Sequence, residues 1–210
     1  WGYRQKVHFV FASGAGRGPR PLVMGHYAAG SRRVVAVDEC PVHDPRGNAL
    51  AFSVRDAFAK FGVQVRHEDG WSSVQTRGPL KVKEPFTRTI LQKVEAAPWP
   101  YVPVDLLPIF VALGVKAEGS VMFWNKVYDG AMGWTSELAK FGAHAFLSDP
   151  HRMITFGGKP LSPAEVESPY IIRVAIALLM VAASIPGKSV IHNATPVRRA
   201  HPQFAENITR

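Results

Sequence analysis

The sequence predicts an α/β domain made of three similar units, each a helix, a strand, a second helix and two further strands, around shared buried helices. Three observations lead to this prediction. An eight-residue segment occurs twice, short apolar strands follow glycine turns at three points, and two helical segments are apolar on every side. The chain has 210 residues, of which 47% are apolar, so it is large enough to bury such a core.

The first unit is predicted to begin near Leu22. Residues 1–29 form a basic start, rich in glycine and proline, that overlaps the beginning of this unit and is assigned only poorly by the repeat. An apolar helix from Leu22 would end at the turn around Gly30 and lead into a short strand. Residues 58–65 would then end a second helix, with Gly62 at the position where positive φ costs least, and two strands would follow.

The second unit is predicted to begin near Asp105. Residues 106–117 form an apolar segment that predicts a fully buried helix, and a strand follows Gly119. Residues 138–145 (LAKFGAHA) then match the earlier segment FAKFGVQV. In both copies a second glycine lies sixteen residues after the first, and a Pro-Leu turn comes after that second glycine. Two coincident spacings indicate that the same structural unit is repeated.

The third unit is predicted to begin near Tyr170. Residues 172–183 predict a second buried helix, and a strand follows Gly187. The chain stops at Arg210 before the later strands of this unit, and it starts with Trp1 in place of methionine. We therefore expect residues 1–210 to be a single incomplete domain.

Composition narrows the classes of partner. The formal net charge is +9, which favours anions such as nucleic acid, an acidic membrane surface, phosphorylated metabolites or carboxylates. Cys40 is the only cysteine, so an internal disulfide is excluded and a reducing compartment, the cytoplasm, is expected. The longest apolar run, residues 171–185, carries Arg173 and is too short to span a bilayer, so no membrane partner is expected.

Motifs for other chemistries are weak. Residues 13–21 are glycine-rich and basic, but their prolines oppose the helix that a dinucleotide-binding turn requires, which favours a mobile loop. The histidines lack metal-ligand spacing, so no metal site is expected. Basic residues interleaved with aromatic residues in a known RNA-binding pattern are absent, so nucleic acid is a possible partner that is not favoured.

Three segments resemble the enolpyruvyl transferase family. A proline-rich turn over residues 97–105 ends at Asp105, and residues 116–120 (KAEGS) resemble the "AEGT" that follows the family's apolar helix. Residues 137–143 (ELAKFGA) resemble the family's helix end. The resemblance covers residues 32–210. It implies a two-domain enzyme with three such units in each domain, this chain forming most of one domain.

Two branches of the family compete. The approach to Asp105 and residues 119–137 resemble UDP-N-acetylglucosamine enolpyruvyl transferases of peptidoglycan synthesis, which we favour. Residues 172–175 and 197–204 are more similar to 5-enolpyruvylshikimate-3-phosphate synthases. A third interpretation is a non-catalytic structural or binding module that kept the fold.

The resemblance implies the chemistry and its residues. An enolpyruvyl group would pass from phosphoenolpyruvate to a hydroxyl of a UDP-sugar or phosphorylated acceptor, with release of phosphate and without cofactor or metal. Arg173 and Arg199 lie at matching positions and would bind phosphoenolpyruvate. Asp105 would hydrogen-bond the attacking hydroxyl and accept its proton, and the main chain of Val127 would touch the acceptor. A second domain or chain would complete the site.

The departures from the family pattern favour the non-catalytic interpretation. Ala131 stands in the loop where the first branch has an arginine. Apolar Ile171 or Ile172 replaces the aspartate expected just before Arg173. Arg198 and its neighbours stand where the family has a different motif near the end of this unit. Whether catalysis is retained therefore depends on where the structure places these residues.

Overall fold

The computed structural model describes residues 7–14, 21–68, 71–75, 78–87, 89–98 and 101–208. Its strands are β1 Val10–Ser13, β2 Leu22–Tyr27, β3 Val34–Ala36, β4 Gln64–Glu68, β5 Trp71–Gln75, β6 Gln92–Ala96, β7 Gly119–Asn125, β8 Ala145–Asp149, β9 Arg152–Gly157, β10 Glu165–Glu167 and β11 Val190–His192. Its helices are α1 Pro45–Ala59, α2 Leu107–Lys116, α3 Thr135–Lys140, α4 Ile172–Ala183, α5 Pro196–Ala200 and α6 Phe204–Ile208. The predicted α/β class is confirmed. None of the helices in these ranges is long and apolar enough to cross a bilayer.

The largest sheet has the order β6-β7-β9-β8. Strands β6 and β7 are parallel, with Val94 opposite Phe123, whereas β9 is antiparallel to both of its neighbours. A parallel pair needs a crossover, and α2 supplies it between β6 and β7. Strands β10 and β11 form a second parallel pair, and α4 is the crossover between them. The two apolar helices thus have the same topological place.

The two copies of the repeated segment have similar local structure. Helix α1 leads to the antiparallel pair β4-β5, and α3 leads to β8-β9. The glycine after each helix has positive φ, +68° at Gly62 and +82° at Gly142, which a side chain would make unfavourable. The preceding Phe61 and Phe141 are fully buried. Each copy therefore fixes a helix end with a glycine and anchors it with an aromatic ring.

Helices α2 and α4 lie at the centre of the core, as predicted. No residue of α2 is exposed, and Phe110 and Val111 are completely buried. Along α4 only the last residue, Ala183, is exposed. Phe110 packs against Phe58 of α1 with ring centroids 4.7 Å apart, which joins the first helix to the same core.

The helix expected to begin at Leu22 is wrong, because β2 occupies that segment. Strand β1, which was not predicted, pairs with it in an antiparallel register, and the Gly14 amide donates to the Pro21 carbonyl. A Cβ at Gly25 would lie 1.9 Å from the Val35 carbonyl oxygen, so the glycine allows β2 and β3 to approach. Pairing on both sides outweighs local helix preference. Of the glycine-rich segment, residues 15–20 lie outside the described residues. Trp99 and Pro100 of the proline-rich approach to Asp105 lie outside them as well.

Candidate functional site

Two of the predicted site residues are brought together. Arg173 Nη2 lies 3.1 Å from Asp105 Oδ2. Asp105 belongs to a single 3₁₀ turn, Val104–Leu106, that directly precedes α2, and Arg173 lies in the first turn of α4. The contact follows from the packing of α2 against α4, which aligns the starts of the two helices. Both side chains remain accessible, 43% exposed for Arg173 and 59% for Asp105.

The pair lies on the wall of a small cavity of about 130 Å³. Its polar lining comes from Asp105, Arg173, Asn125 and Tyr128, and part of its apolar lining comes from Ala131 and Ile171. The cavity therefore offers one cation, one carboxylate, an amide and a phenol within one concave surface. This set of side chains suits a small anion that binds beside a hydroxyl group.

Asn125 organises the loop that carries Val127. Its side chain is 3% exposed, and its Oδ1 accepts hydrogen bonds from the amides of Val127 (2.9 Å) and Tyr128 (3.1 Å). His151 Nδ1 lies 3.1 Å from the Asn125 carbonyl oxygen and fixes the strand end further. The Val127 amide already donates to Asn125 Oδ1. Any main-chain contact of Val127 with an acceptor substrate must therefore use the Val127 carbonyl oxygen.

A larger groove of about 450 Å³ adjoins the cavity, and Ala131 and Ile171 line both. Tyr170 lines the groove, and the Arg199 guanidinium lies 5.3 Å from the centre of the Tyr170 ring. Arg199 is thus connected to the Asp105–Arg173 cavity through Tyr170, which is next to Ile171 in sequence.

Acidic groups define the far side of the groove. Partial burial raises the pKa of Glu137, but hydrogen bonds from the Glu167 amide and the Lys140 ammonium outweigh it and leave the pKa below the usual value. Glu167 Oε1 accepts from Asn193 Nδ2 at 2.8 Å. Asn193 has φ of +56°, unusual for a residue other than glycine, and this brings its amide to the groove.

The substituted residues have different positions. Ala131 and Ile171 line the cavity beside Arg173, so the missing arginine and aspartate leave an apolar wall. Arg198 instead lines a separate hollow between α4 and the α5–α6 segment. Within the described ranges, no three His, Cys, Asp or Glu side chains are grouped to hold a metal ion.

The sequence prediction named Asp105 and Arg173, which the structure places in contact, and did not name Asn125 and Tyr128 of the cavity or Tyr170 of the adjoining groove. A polar residue at the end of a buried strand, followed by an exposed loop, was the available signal for Asn125. Tyr170 had no comparable signal, because its contact with the Arg199 guanidinium depends on the tertiary structure.

Comparison with known proteins identifies the same family that the sequence resembles. The family model described as EPSP synthase (3-phosphoshikimate 1-carboxyvinyltransferase) matches residues 25–208. The chain is 30% identical over 155 residues to UDP-N-acetylglucosamine 1-carboxyvinyltransferase from Borrelia garinii and 31% identical over 156 residues to the Bradyrhizobium diazoefficiens enzyme. Each alignment covers 74% of this chain but 36% of the relative, so the chain spans about a third of these proteins.

Solved structures show the fold. The enolpyruvyl transferase NikO from Streptomyces tendae superposes with a TM-score of 0.63 at 22% identity, over 76% of this chain and 34% of that one. EPSP synthase from Acinetobacter baumannii gives a TM-score of 0.52 at 17% identity, over 77% of this chain and 38% of that one. The chain thus has a mixed α/β structure related to these two proteins.

Proposed function

Because the chain belongs to the enolpyruvyl transferase family, we propose that it forms part of an enzyme that moves the enolpyruvyl group of phosphoenolpyruvate to a hydroxyl of UDP-N-acetylglucosamine. The curated relatives with this activity in their names support the choice of acceptor. The observation that carries the proposal is the Asp105–Arg173 pair on the wall of an open cavity.

Arg173 supplies the anion-binding group in this proposal. Its guanidinium is always charged and offers a planar fork that matches a carboxylate or a phosphate. Phosphoenolpyruvate carries both groups. Since Arg173 is 43% exposed, the ligand can reach it by displacing or sharing Asp105 without opening the core. In this proposal Arg199, whose guanidinium lies 5.3 Å from the centre of the Tyr170 ring, would bind the other anionic end.

Asp105 supplies the carboxylate that orients and deprotonates the acceptor. The acceptor oxygen forms a bond to C2 of phosphoenolpyruvate as its proton passes to Asp105, and an acidic group of the proposed second domain donates a proton to C3. The C2–O bond to phosphate then breaks, phosphate leaves with the bonding electrons, and the conjugate base of that same group takes a proton back from C3, which restores the double bond in the product. Arg173 Nη2, 3.1 Å from Asp105 Oδ2, holds this carboxylate on the wall of the cavity.

We also propose that the repeated elements form one domain of three related units and that a second domain completes the site. The equivalent crossovers α2 and α4 support the repeat, and the partial coverage of the relatives supports a further domain. Closure of two domains would exclude water and bring further cations to the cavity.

The alternative is a non-catalytic module of the same fold, favoured by one observation. Ala131 and Ile171 make the cavity wall beside Arg173 apolar, where the family pattern has a cation and a carboxylate. A module of this kind would keep the fold and bind phosphoenolpyruvate weakly or not at all. Because the matching family model is described as a 3-phosphoshikimate 1-carboxyvinyltransferase, 3-phosphoshikimate is an alternative acceptor.

Calorimetric titration of the full-length gene product with phosphoenolpyruvate tests the proposal. Arg173→Ala removes a charge-assisted contact of about 1.5–3 kcal/mol and should weaken binding roughly tenfold or more. The melting temperature should hardly change, because exposed ion pairs contribute at most about 1 kcal/mol. Arg152→Ala is the matched control, since Arg152 also pairs with one carboxylate, Asp149, and is 46% exposed.

Equal binding by wild type and Arg173→Ala would contradict the assignment of Arg173. Absence of phosphoenolpyruvate binding by the wild type would favour the non-catalytic module. In both cases the Arg152→Ala control separates a local effect from a general loss of positive charge.

A further inference from the structure

Asn125 lies on the buried face of β7. Along this strand Val121, Phe123 and Asn125 are buried and alternate with residues that are more exposed, so the three side chains share one face. The strand packs against α2. Asn125 is its last residue and lines the cavity at the start of that helix, where Asp105 also lies. A carboxamide thus stands where the apolar face of the strand meets the site.

All polar groups of Asn125 except one have a partner in the protein. Its backbone amide donates to the His151 carbonyl oxygen at 2.8 Å, and its own carbonyl oxygen lies 3.1 Å from His151 Nδ1. Its Oδ1 accepts from the Val127 and Tyr128 amides. Two amides can bond only to an acceptor, so the oxygen of the carboxamide must face them. Nδ2 is left, and it has no acceptor among the described residues.

This unpartnered nitrogen reaches the cavity. Within the described ranges, the fully buried side-chain atoms that lack a hydrogen-bond partner are His26 Nε2, Trp134 Nε1 and Thr155 Oγ1. Asn125 Nδ2 also lacks a partner but is not one of these atoms, so it touches open space. The residue is only 3% exposed and lines the cavity, so that space is the cavity. The carboxamide therefore presents two N–H donors to the cavity that Asp105 and Arg173 also line.

The size and charge of the cavity determine which ligand group suits these donors. A sphere of about 130 Å³ has a radius of about 3 Å, the length of a hydrogen bond, so one group can meet several walls at once. The charges of Asp105 and Arg173 cancel within the pair. An anion that enters therefore needs donors besides the guanidinium, and N–H groups of a neutral amide supply them.

We propose that Asn125 Nδ2 donates to the same anionic group that Arg173 binds, so that Asn125 is a substrate-binding residue as well as the residue that holds the Val127 loop. The inference rests on the proposed function, in which this group is the carboxylate or the phosphate of phosphoenolpyruvate. The two amides on Oδ1 fix the carboxamide before the ligand arrives, so little side-chain freedom is lost on binding. The acceptor hydroxyl needs a proton acceptor, which Asp105 provides.

Calorimetric titration of the full-length gene product with phosphoenolpyruvate and with inorganic phosphate tests the proposal. In Asn125→Asp the Val127 and Tyr128 amides keep an oxygen acceptor and favour the ionised carboxyl, while both donors are lost. Binding of both anions should weaken about tenfold or more, because a charge-assisted hydrogen bond is replaced by a repulsive contact. Asn48→Asp is the matched control and should bind as the wild type does. Asn48 Oδ1 also accepts a backbone amide, that of Cys40 at 3.2 Å, and Asn48 is not part of the cavity lining.

NMR spectroscopy of protein labelled with ¹⁵N at asparagine, valine and tyrosine separates binding from loop structure. In the wild type the side-chain NH₂ signals of Asn125 should move downfield when phosphoenolpyruvate is added, and this measurement does not depend on how well a variant folds. In Asn125→Asp without ligand, the Val127 and Tyr128 amide signals should stay near their wild-type positions, because their hydrogen bonds are kept.

Three results would overturn the proposal. The first is binding of both anions that Arg173→Ala weakens and Asn125→Asp leaves unchanged, in which case the proposed function would stand without this contact. The second is a set of Asn125 NH₂ signals that do not respond to phosphoenolpyruvate or phosphate. The third is weaker binding of UDP-N-acetylglucosamine alone in Asn125→Asp, which would assign the donors to the acceptor. A wild type that binds phosphate through Asn125 but does not bind phosphoenolpyruvate would instead support the anion site and contradict the proposed function.

Discussion

At the scale of single residues, Asp44 shows how one side chain sets a boundary. Its carboxylate accepts hydrogen bonds from the backbone amide of Arg46 at 2.8 Å and from the Arg46 guanidinium at 3.0 Å and 2.9 Å. Pro45 follows as the first residue of α1, where its missing N–H is not needed. The hydrogen bonds from the Arg46 side chain, with those from its amide, lower the pKa of Asp44 from 3.8 to about 2.

This pKa predicts a specific dependence on pH. Between about pH 4 and pH 2 the folded protein keeps Asp44 ionised while the unfolded chain binds a proton, so the contribution of Asp44 to stability is complete above about pH 4 and is lost as the pH falls to about 2. Asp44→Asn should be less stable than wild type at pH 6, and the difference in unfolding free energy should vanish near pH 2. Urea denaturation across this range measures it.

A difference that stays constant with pH would show that Asp44 acts only as a neutral cap. Native-state NMR titration of the Asp44 carboxyl gives an independent check, and a midpoint near the usual value would contradict the Arg46 contact.

The candidate site was partly predictable at this scale. Asp105 and Arg173 could be named as candidates from a family motif, because each lies in a distinctive sequence context. Their contact could not be assigned from the residues alone, since it depends on how two helices 68 positions apart pack. Asn125 was missed because its role comes from the amides that its side chain accepts, and hydrogen-bond geometry leaves no mark on composition.

At the scale of elements, α2 crosses the large sheet at very short range. A Cβ added at Gly157 of β9 would lie 2.2 Å from the carbonyl oxygens of both Gly114 and Ala117. A Cβ at Gly114 would in turn lie 2.6 Å from the Phe123 ring. Glycines on both elements therefore allow the helix backbone to lie against the strand. This close approach fixes the depth of α2 and, with it, the position of Asp105 at the start of the helix.

Gly157→Ala should therefore destabilise the protein strongly. The new methyl group meets backbone atoms, which cannot rotate away, so α2 must move and the free energy of unfolding should fall by about 1–3 kcal/mol or more. Gly133→Ala is the matched control, since its Cβ would meet the Gly130 carbonyl oxygen at an ordinary 3.5 Å. Its effect should stay within about 0.5 kcal/mol. Chemical denaturation of the two variants gives the comparison, and equal losses would refute the close approach.

The fold was predictable from the sequence wherever local pattern and tertiary environment agree. Helices α2 and α4 are apolar except for Lys116 and Arg173, and every residue but Ala183 is buried or half-buried, so their sequences were sufficient. The segment of β2 was predicted wrongly because a six-residue apolar stretch fits a helix or a strand equally well. Pairing with β1 and β3 decided the outcome, and neither partner is visible in the segment itself.

At the scale of the whole molecule, the site lies where the starts of two buried helices meet. The Asp105–Arg173 pair is open to solvent, whereas the core beneath it is closed. Such an arrangement leaves the pair free to exchange partners with a ligand at little cost in stability. If a second domain completes the site, as proposed above, the open cavity of this chain lacks the water exclusion that group transfer needs. The 210-residue chain alone should therefore bind phosphoenolpyruvate weakly and release no phosphate from it.

The most direct test of the proposed transfer reaction is phosphate release from phosphoenolpyruvate by the full-length gene product in the presence of UDP-N-acetylglucosamine. We expect turnover by the wild type and a loss of about 100-fold or more in Asp105→Asn, with phosphoenolpyruvate binding retained, since the amide keeps the shape of the carboxylate but cannot accept the proton. Phosphate release by the isolated 210-residue chain, or undiminished turnover by Asp105→Asn, would contradict it. Absence of turnover by the wild type with any hydroxyl acceptor would show that the fold has been kept without the chemistry.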